Sequence, residues 1–227
     1  MIEQLLKESF PVLYGLNPDK VRVPIQKMGI PFALSDEKAC SDCQANPSRV
    51  NRIHCNKEIL KVNNNGTSIN VVWFEDYIYQ FRNTHANVQD RCDFILTDSG
   101  VNHTKIVFCD LCCYEEKYVE PNDGNSYPQG KRAKARQQME RSIEVLVQES
   151  VTAVNLLTYP EKVCLFAWRD YSVPDTPVRA ERGNPLSNMQ AMITSPSSMA
   201  THTTTHHQQL GYGFTFMQIK YPSVYNW

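Results

Sequence analysis

The sequence predicts an α/β fold in which a mixed central β-sheet is flanked by helices. Two apolar segments, DFILTD (93–98) and KIVFCDL (105–111), are separated by a short polar turn and are typical of an antiparallel hairpin. A segment with helical propensity, KRAKARQQMERSIEVLVQES (131–150), comes next, and KVCLFAWRDY (162–171) then indicates a further strand. The helix would then be a crossover that returns to the sheet, and for a parallel pair of strands this connection should be right-handed.

The elements before the hairpin are predicted from apolar spacing and turn residues. Residues 2–14 carry apolar side chains near helical spacing up to Pro11, which favours a short packing helix. Residues 36–56 are polar and contain cysteines without apolar periodicity, so we expect a loop. A hairpin-type turn at 63–66 precedes SINVVWFEDYIYQFRN (68–83), which predicts a strand or a strand running into a short helix.

The C-terminal half supplies one amphipathic helix and one more strand. Residues 172–205 are rich in Pro, Ser, Thr and Met, and so long a segment in a compact domain is usually functional or disordered. GYGFTFMQIKYP (211–222) predicts the last strand. The helix at 131–150 should pack one face against the sheet. That face consists of Ala135, Met139, Ser142, Ile143 and Leu146.

Length and composition favour one domain with additions. The chain has 227 residues, of which 41% are hydrophobic and 21% charged, and this is enough for one good core. We divide it into an N-terminal helical and cysteine-bearing addition, residues 1–62, and a core, residues 63–227. The formal net charge of −1 excludes a global basic field, so any contact with nucleic acid must come from a local patch.

Nothing in the sequence predicts export or membrane insertion. The first 16 residues lack a basic stretch ahead of an apolar core, and no apolar run reaches the ~18 residues of a membrane helix. We therefore expect a soluble, cytoplasmic protein without a membrane partner, in which thiols are free, metal-bound or reactive. The eight cysteines are Cys40, Cys43, Cys55, Cys92, Cys109, Cys112, Cys113 and Cys164.

Two acidic residues lie at comparable positions of the predicted hairpin. Asp93 starts the first strand and Asp110 lies near the end of the second. Carboxylates on adjacent strands can converge on one divalent cation, and Mg²⁺ prefers oxygen ligands of this kind. Such a site would lower the pKa of a bound water and stabilise charge on a phosphate. The alternative is that both acids are simply exposed at strand ends.

Four segments, in order, resemble the core of the PD-(D/E)XK, restriction-endonuclease-like superfamily: CDFILTD, KIVFCDL, AKARQQMERSIEVL and KVCLFAWRDY. In that family an Asp opens one strand, an acid-X-Lys follows on the next, and a helix often bearing Gln packs across the sheet. The likeness covers residues 70–171. It implies that Asp93 and Asp110 bind the metal and that Gln137 or Gln138 is the helix glutamine. It also implies Mg²⁺-dependent cleavage of phosphodiester bonds.

The sequence departs from the family pattern at Cys112. The family has a lysine there that activates the attacking water, and a thiol cannot supply its fixed positive charge. Some members carry the lysine on the neighbouring helix, so Lys131 or Lys134 could substitute, and both would suit phosphate contacts. The alternatives are a helix end that is merely solvated, and a fold kept after its hydrolytic activity was lost.

The cysteines suggest a zinc site as a second hypothesis. Cys40 and Cys43 form one CxxC pair, which with Cys55 and a distant ligand such as Cys112 could hold a tetrahedral Zn²⁺. A second pair, Cys109 and Cys112, lies on a predicted strand, where residues three apart face opposite sides. They can therefore chelate together only if the chain turns between them.

Two other interpretations of the thiols remain open. Cys92, Cys109 and Cys164 are expected to be small buried residues of the sheet. Cys112 or Cys113 could serve as a nucleophile activated by a histidine, although the sequence identifies no partner. The histidines of THTTTHH (201–207) could bind metal, but a polar run of this kind is more often surface.

These observations predict two functions from different classes. The first is a nucleic-acid-directed, metal-dependent nuclease in which Asp93 and Asp110 hold Mg²⁺, Lys131 or Lys134 supplies positive charge and Gln137 orients a ligand. The second is a catalytically silent binding or scaffold subunit with a nucleic-acid or protein partner and a structural zinc site. The residue at position 112 favours the second, whereas the acid pair and the basic helix start favour the first.

Overall fold

The computed structural model describes seven stretches of the chain: residues 2–35, 58–84, 91–100, 103–123, 128–147, 156–170 and 208–227. The predicted loop at 36–56 and the long segment at 172–205 lie outside them. The strands within these stretches are β1 (Ile25–Met28), β2 (Phe32–Leu34), β3 (Leu60–Asn63), β4 (Ile69–Trp73), β5 (Phe94–Asp98), β6 (Lys105–Cys113), β7 (Glu161–Arg169), β8 (Gln208–Gln209), β9 (Thr215–Lys220) and β10 (Val224–Asn226).

A seven-stranded mixed sheet forms the centre of the fold, with strand order β1-β4-β5-β6-β7-β9-β8. Along the order β1-β4-β5-β6, each strand pairs antiparallel with the next. From β6 onwards β7 and β9 are added in parallel, and β8 pairs antiparallel at the edge. The predicted mixed central sheet and the predicted β5/β6 hairpin are therefore confirmed.

Within the described residues, three helices longer than a single 3₁₀ turn lie along the central sheet. The first, α1, runs through Ile2–Gln4, Leu5–Ser9 and Phe10–Leu13, and the others are α2 (Phe74–Tyr79) and α3 (Gly130–Val147). The middle part of α1 is a π-type turn in which the Phe10 N–H donates to the Leu5 carbonyl. This wider turn comes just before Pro11, which has no N–H to donate, so the helix passes the proline and ends at Leu13.

The central strand β6 is buried on both faces. Ile106, Phe108 and Cys112 point to the side covered by the three helices, whereas Cys109 and Leu111 point to the other side. Only Cys113, its last residue, is partly exposed. The nearly continuous apolar run of β6 predicts this double-sided burial, which the structure confirms. The predicted packing face of α3 is also buried: Ala135, Met139, Ser142, Ile143 and Leu146.

A smaller sheet covers the other face of the central sheet. It has the order β10-β3-β2, in which β3 pairs parallel with β10 and antiparallel with β2. The predicted turn at 63–66 is present, with left-handed φ angles of 48° at Asn65 and 79° at Gly66. It does not close a hairpin, because β3 and β4 on either side of it belong to different sheets.

The N-terminal region shares the core of the central sheet. Leu5, Leu6 and Phe10 of α1 lie in the same apolar cluster as Phe108 of β6, and β1 is an edge strand paired with β4. Residues before position 63 thus contribute a strand and core side chains. The division of the chain at residue 62 stays a prediction.

None of the helices that the structure describes is long and apolar enough to cross a bilayer.

A buried hydroxyl joins α1 to α2. The Tyr77 hydroxyl donates to the Leu6 carbonyl at 2.6 Å, and burial raises the pKa of Tyr77, so the group stays a neutral donor. In Tyr77→Phe the Leu6 carbonyl loses this partner in an apolar setting. We expect the free energy of unfolding, measured by urea denaturation, to fall by about 1–3 kcal/mol.

The matched control for this substitution is Tyr79→Phe. Tyr79 lies on the same helix but is 55% exposed, so its hydroxyl has water available. Its loss should change the free energy of unfolding by no more than about 0.5 kcal/mol. Equal stability of the two variants would contradict a stabilising role for the contact between Tyr77 and Leu6.

Candidate active site

The carboxyl ends of three parallel strands meet at one edge of the central sheet, which we call the carboxyl edge. There β6 continues into Tyr114, β7 ends at Arg169 and β9 is followed by Tyr221. Main-chain bonds extend the pairing beyond the strands: Tyr114 N–H donates to Arg169 O at 3.1 Å, and Tyr221 N–H to Trp168 O at 2.9 Å. In open α/β sheets, ligands commonly bind beyond this end of the strands.

Asp93 lies at this edge, directly before β5. Its N–H donates to Cys109 O at 3.1 Å, and its Oδ2 accepts the N–H of Leu111 at 2.8 Å. The carboxylate therefore takes the place of a main-chain acceptor where the pairing of β5 with β6 stops. This bond fixes the orientation of a half-buried carboxyl group.

Asp110 is the other predicted metal ligand and is only 6% exposed. It lies between Leu111 and Cys109 on β6, so strand alternation turns its side chain towards the helices, on the same side as Phe108 and Cys112. In the register of β5 with β6, Phe94 pairs with Cys109. Asp93 is the residue before Phe94, and Asp110 is the residue after Cys109. The two acids thus occupy neighbouring positions across two strands, where Cβ atoms are typically about 4.5–5.5 Å apart.

The charges of both carboxylates act on the same two thiols. Burial raises the pKa of Cys92 and of Cys109, and the negative charges of Asp93 and Asp110 raise each of them further. A hydrogen bond with Ser142 works in the opposite direction at Cys92. The shared influence agrees with the register, which makes the acids neighbours.

Hydrogen bonds from α3 hold the segment that carries Asp93. Ser142 Oγ accepts the N–H of Cys92 at 2.9 Å and donates to the Gln138 carbonyl at 2.7 Å. Gln138 Nε2 donates to the Arg91 carbonyl at 3.0 Å. Gln137, the residue predicted to orient a ligand, is exposed, so the glutamine of α3 that contacts the sheet is Gln138.

The two candidate lysines belong to the first half of α3. Lys131, in the first turn, is 9% exposed, and its Nζ lies 3.8 Å from the centroid of the Tyr114 ring. Lys134 is half-buried. Because Tyr114 directly follows β6, Lys131 brings an ammonium group to the carboxyl edge. Cys112 is 5% exposed and faces the helices, so the residue at the family's lysine position contributes an apolar thiol.

The cysteines of β6 cannot chelate one metal ion together. The strand runs without a turn to Cys113, so Cys109 and Cys112 lie in the apolar clusters on opposite faces of the sheet. Across the residues that the structure describes, no group of three or more His, Cys, Asp or Glu side chains is arranged to hold a metal ion. Cys40, Cys43 and Cys55 of the zinc hypothesis, like His202, His206 and His207, lie outside those residues.

The remaining sheet cysteines behave as expected from the sequence. Cys92, Cys109 and Cys164 are fully buried, and burial raises the pKa of each thiol. They are small core residues rather than nucleophiles.

Sequence reasoning missed a set of cation and ring pairs at the carboxyl edge. Arg169 Cζ lies 4.2 Å from the centroid of Tyr221, and Lys220 Nζ lies 4.5 Å from that of Trp168. The signal in the sequence was that each parallel strand ends in aromatic and basic residues. The three segments are CCYEEKY (112–118), WRDY (168–171) and IKY (219–221).

The start of α3 is fixed by Gly130, which has a φ of +76°. A Cβ at this position would come 2.6 Å from the backbone atoms Glu120 C and Val119 O, and the next residue but one, Arg132, donates its N–H to Val119 O at 3.1 Å. Only glycine allows this close approach with a left-handed backbone. The position of Lys131 therefore depends on Gly130, the residue before it.

We expect Gly130→Ala to lower the free energy of unfolding by more than about 1 kcal/mol, because both strain and a backbone clash are introduced. Thermal unfolding followed by circular dichroism measures the change. Gly29→Ala is the control, since nothing lies within 4 Å of its added Cβ and its backbone is not left-handed. It should be slightly stabilising, by about 0.4–1 kcal/mol. Effects of the same sign would contradict the close packing at Gly130.

We further expect the thiols to differ in reactivity. Iodoacetamide at pH 8 should modify half-buried Cys113 well before Cys92 and Cys109, because a raised pKa leaves less thiolate and burial blocks access. Tandem mass spectrometry of the digested protein locates the label. Unfolding in urea should remove the difference, and native labelling of Cys109 as fast as of Cys113 would contradict the burial of β6.

Comparison of the chain with protein-family models, with curated proteins and with solved structures finds no match in any of the three. The resemblance to the PD-(D/E)XK superfamily therefore stays a prediction. Function has to be inferred from the chemistry of the carboxyl edge.

Proposed function

We propose that the chain is a nucleic-acid-directed, metal-dependent phosphodiesterase with a restriction-endonuclease-like core. The observation that carries the proposal is the pair Asp93 and Asp110, neighbours across β5 and β6 at the edge where the parallel strands end. Two acids at such a position, beside a helix whose first turn contributes Lys131, are the groups needed to bind a cation and a phosphate together.

The donor set fits Mg²⁺ better than zinc. Mg²⁺ is commonly bound by one or two carboxylates and completes its shell with waters and substrate phosphate oxygens, so a third protein ligand is not required. The Leu111 N–H that donates to Asp93 Oδ2 would orient that ligand, as supporting bonds do in metal sites. Bound Mg²⁺ would lower the pKa of a water and stabilise negative charge on the phosphate.

The role of the family's lysine would fall to α3. Cys112 offers no charge, whereas Lys131 is held at the carboxyl edge by the ring of Tyr114 and by the fixed start of the helix at Gly130. An ammonium there can contact a phosphate oxygen and favour deprotonation of the attacking water. Lys134, one turn further along α3, is the second candidate. Gln138 would act as a positioning residue, because it holds the Arg91 carbonyl close to Asp93.

The order of elements supports the restriction-endonuclease-like core. An antiparallel run of β4, β5 and β6 is followed by α3, which crosses the sheet, and by β7 parallel to β6. The resemblance implies this arrangement, with one acid before a strand and the other on the next strand. Fold alone does not establish activity, so the proposal depends on the acid pair.

The decisive test is cleavage of single- and double-stranded DNA and RNA with Mg²⁺ or Mn²⁺, comparing wild type with Asp110→Asn. The substitution keeps the shape of the side chain but removes its charge. Loss of a residue that only supports a metal ligand costs up to about 100-fold. Because Asp110 is proposed to be a ligand itself, we expect cleavage to fall by at least about 100-fold. Asp19→Asn, at a residue on the distant turn Pro18–Lys20, is the matched control and should cleave like wild type.

Two further variants in the same cleavage assay identify the lysine that supplies the positive charge. Lys131→Gln should reduce cleavage much more than Lys134→Gln if Lys131 contacts the phosphate, and the reverse would assign the role to Lys134. Cleavage that is equal in wild type and Asp110→Asn would come from another source and contradict the proposal.

A second candidate function is a catalytically silent binding or scaffold subunit. The observation that favours it is Cys112, which faces the helix side as a buried thiol where the family has its lysine. Absence of cleavage with all substrates and metals, together with binding of a nucleic-acid or protein partner, would favour this function. Zinc in the reduced, purified protein would support the zinc site that includes Cys40, Cys43 and Cys55.

A further inference from the structure

We infer that the carboxyl edge holds a single-stranded segment of nucleic acid by stacking unpaired bases on a row of tyrosines. The row consists of Tyr114 and Tyr118, which lie on the chain that continues from β6 and whose rings contact each other. The inference rests on the proposed function for the class of its ligand and deepens it by naming the form of substrate that would reach Asp93 and Asp110.

The rings of the row are accessible and close to one another. Tyr114 is 39% exposed, and its centroid lies 6.5 Å from that of Tyr118 at an interplanar angle of 79°. Tyr118 is half-buried. The carbonyl of Arg169 accepts the Tyr114 N–H at 3.1 Å and so holds the main chain at the start of the row.

A cation lies over one face of each ring of the row. Lys131 Nζ lies 3.8 Å from the centroid of Tyr114, and Lys117 Nζ lies 4.9 Å from that of Tyr118. Exposed rings beside basic side chains are the arrangement with which proteins bind single strands, because the rings stack on bases while the cations contact the backbone. The chain has no global basic field, so a local surface of this kind is what a nucleic-acid ligand requires.

The charge balance of the row favours stacking over phosphate attraction. Lys220 pairs with Glu116 at 3.0 Å, and Lys117 pairs with Glu115, so these cations are partly neutralised by acids. A duplex, whose bases are already stacked on each other, could use only the phosphate contacts. A single strand could use the rings as well, and should therefore bind more tightly.

The row also leads to the acid pair. Tyr114 is four residues after Asp110 on the continuation of β6, and Lys131, which contacts its ring, is the candidate phosphate ligand of the proposed reaction. A strand stacked on Tyr114 and running back along β6 would bring a phosphate further along its backbone to Asp93 and Asp110, about 13 Å away at ~3.3 Å per residue. The row would thus select unpaired substrate before any bond is broken.

The test is fluorescence anisotropy of labelled strands of about 16 nucleotides, the upper end of known site sizes, with the full chain in EDTA so that no cleavage occurs. We expect wild type to bind single strands more tightly than the matching duplex. Tyr114→Leu should weaken single-strand binding by at least about fivefold, the smallest effect typical of losing one stacked base, and leave duplex binding unchanged. Tyr114→Phe, which keeps the ring, should bind single strands more tightly than Tyr114→Leu.

Tyr212→Leu is the matched control, because Tyr212 is 49% exposed but precedes β9 and so lies at the opposite edge of the sheet. It should bind like wild type. Should Tyr114→Leu fail to fold, as judged by circular dichroism, Tyr118→Leu provides the same comparison.

Tighter binding of duplex, or single-strand binding that Tyr114→Leu and Tyr118→Leu leave unchanged, would overturn the inference, as would absence of binding. Failure of the proposed function is distinguishable, because tyrosine-dependent binding in EDTA without cleavage in Mg²⁺ would leave the row intact and remove only the catalytic role. Cleavage that depends on Asp110 but not on the tyrosines would do the opposite.

Discussion

The burial of β6 on both faces is the constraint on which the rest of the structure depends. A strand with neighbours on both sides, helices over one face and a second sheet over the other can carry little except apolar side chains. Two charged residues are exceptions: Lys105, the first residue of β6, is 7% exposed, and Asp110, three residues before the end of β6, is 6% exposed. A carboxylate in such a setting costs free energy unless cations or hydrogen-bond donors compensate, so an acid there is unlike the exposed acids of the surface.

The surroundings of Asp110 follow from the same constraint. The strand must keep its apolar pattern up to the edge, so polar groups gather where it ends. There Asp93 stops the β5 pairing with its own side chain, and α3 begins against the backbone at Val119. The site is therefore formed by the ends of elements whose middle parts make the core. This arrangement lets a rigid scaffold hold polar groups without burying them completely.

The elements that the sequence predicts are those with long, local patterns. The β5/β6 hairpin, α3 and β7 each extend over enough residues for composition and periodicity to indicate their type. The small sheet was missed because β2 and β10 have only three residues each and because its pairings are remote in sequence. No local pattern contains the information that residues 60–63 pair with residues 224–226.

The same distinction explains which site residues could be predicted. Asp93 and Asp110 stand out as acids beside apolar runs, and their neighbouring positions follow from the hairpin. The resemblance left Gln137 and Gln138 open as the helix glutamine, and Gln137 was expected to orient a ligand. The expected packing face included Ser142, and the residue one turn before Ser142 is Gln138. The spacing of residues on one helix face thus indicated Gln138. The contact of Lys131 with Tyr114 could not be predicted, because it depends on where α3 begins against the backbone at Val119.

The parallel pairing of β3 with β10 has a consequence for synthesis of the chain. Asn63 and Asn226, which share a side-chain hydrogen bond at 3.2 Å, are 163 positions apart. On the ribosome, β2 and β3 can pair early, but β3 then keeps one open edge until almost the whole central sheet has been made. An open edge is a template for strand addition by other chains. The nascent protein, rather than the finished one, is accordingly the form most exposed to aggregation and most dependent on chaperones.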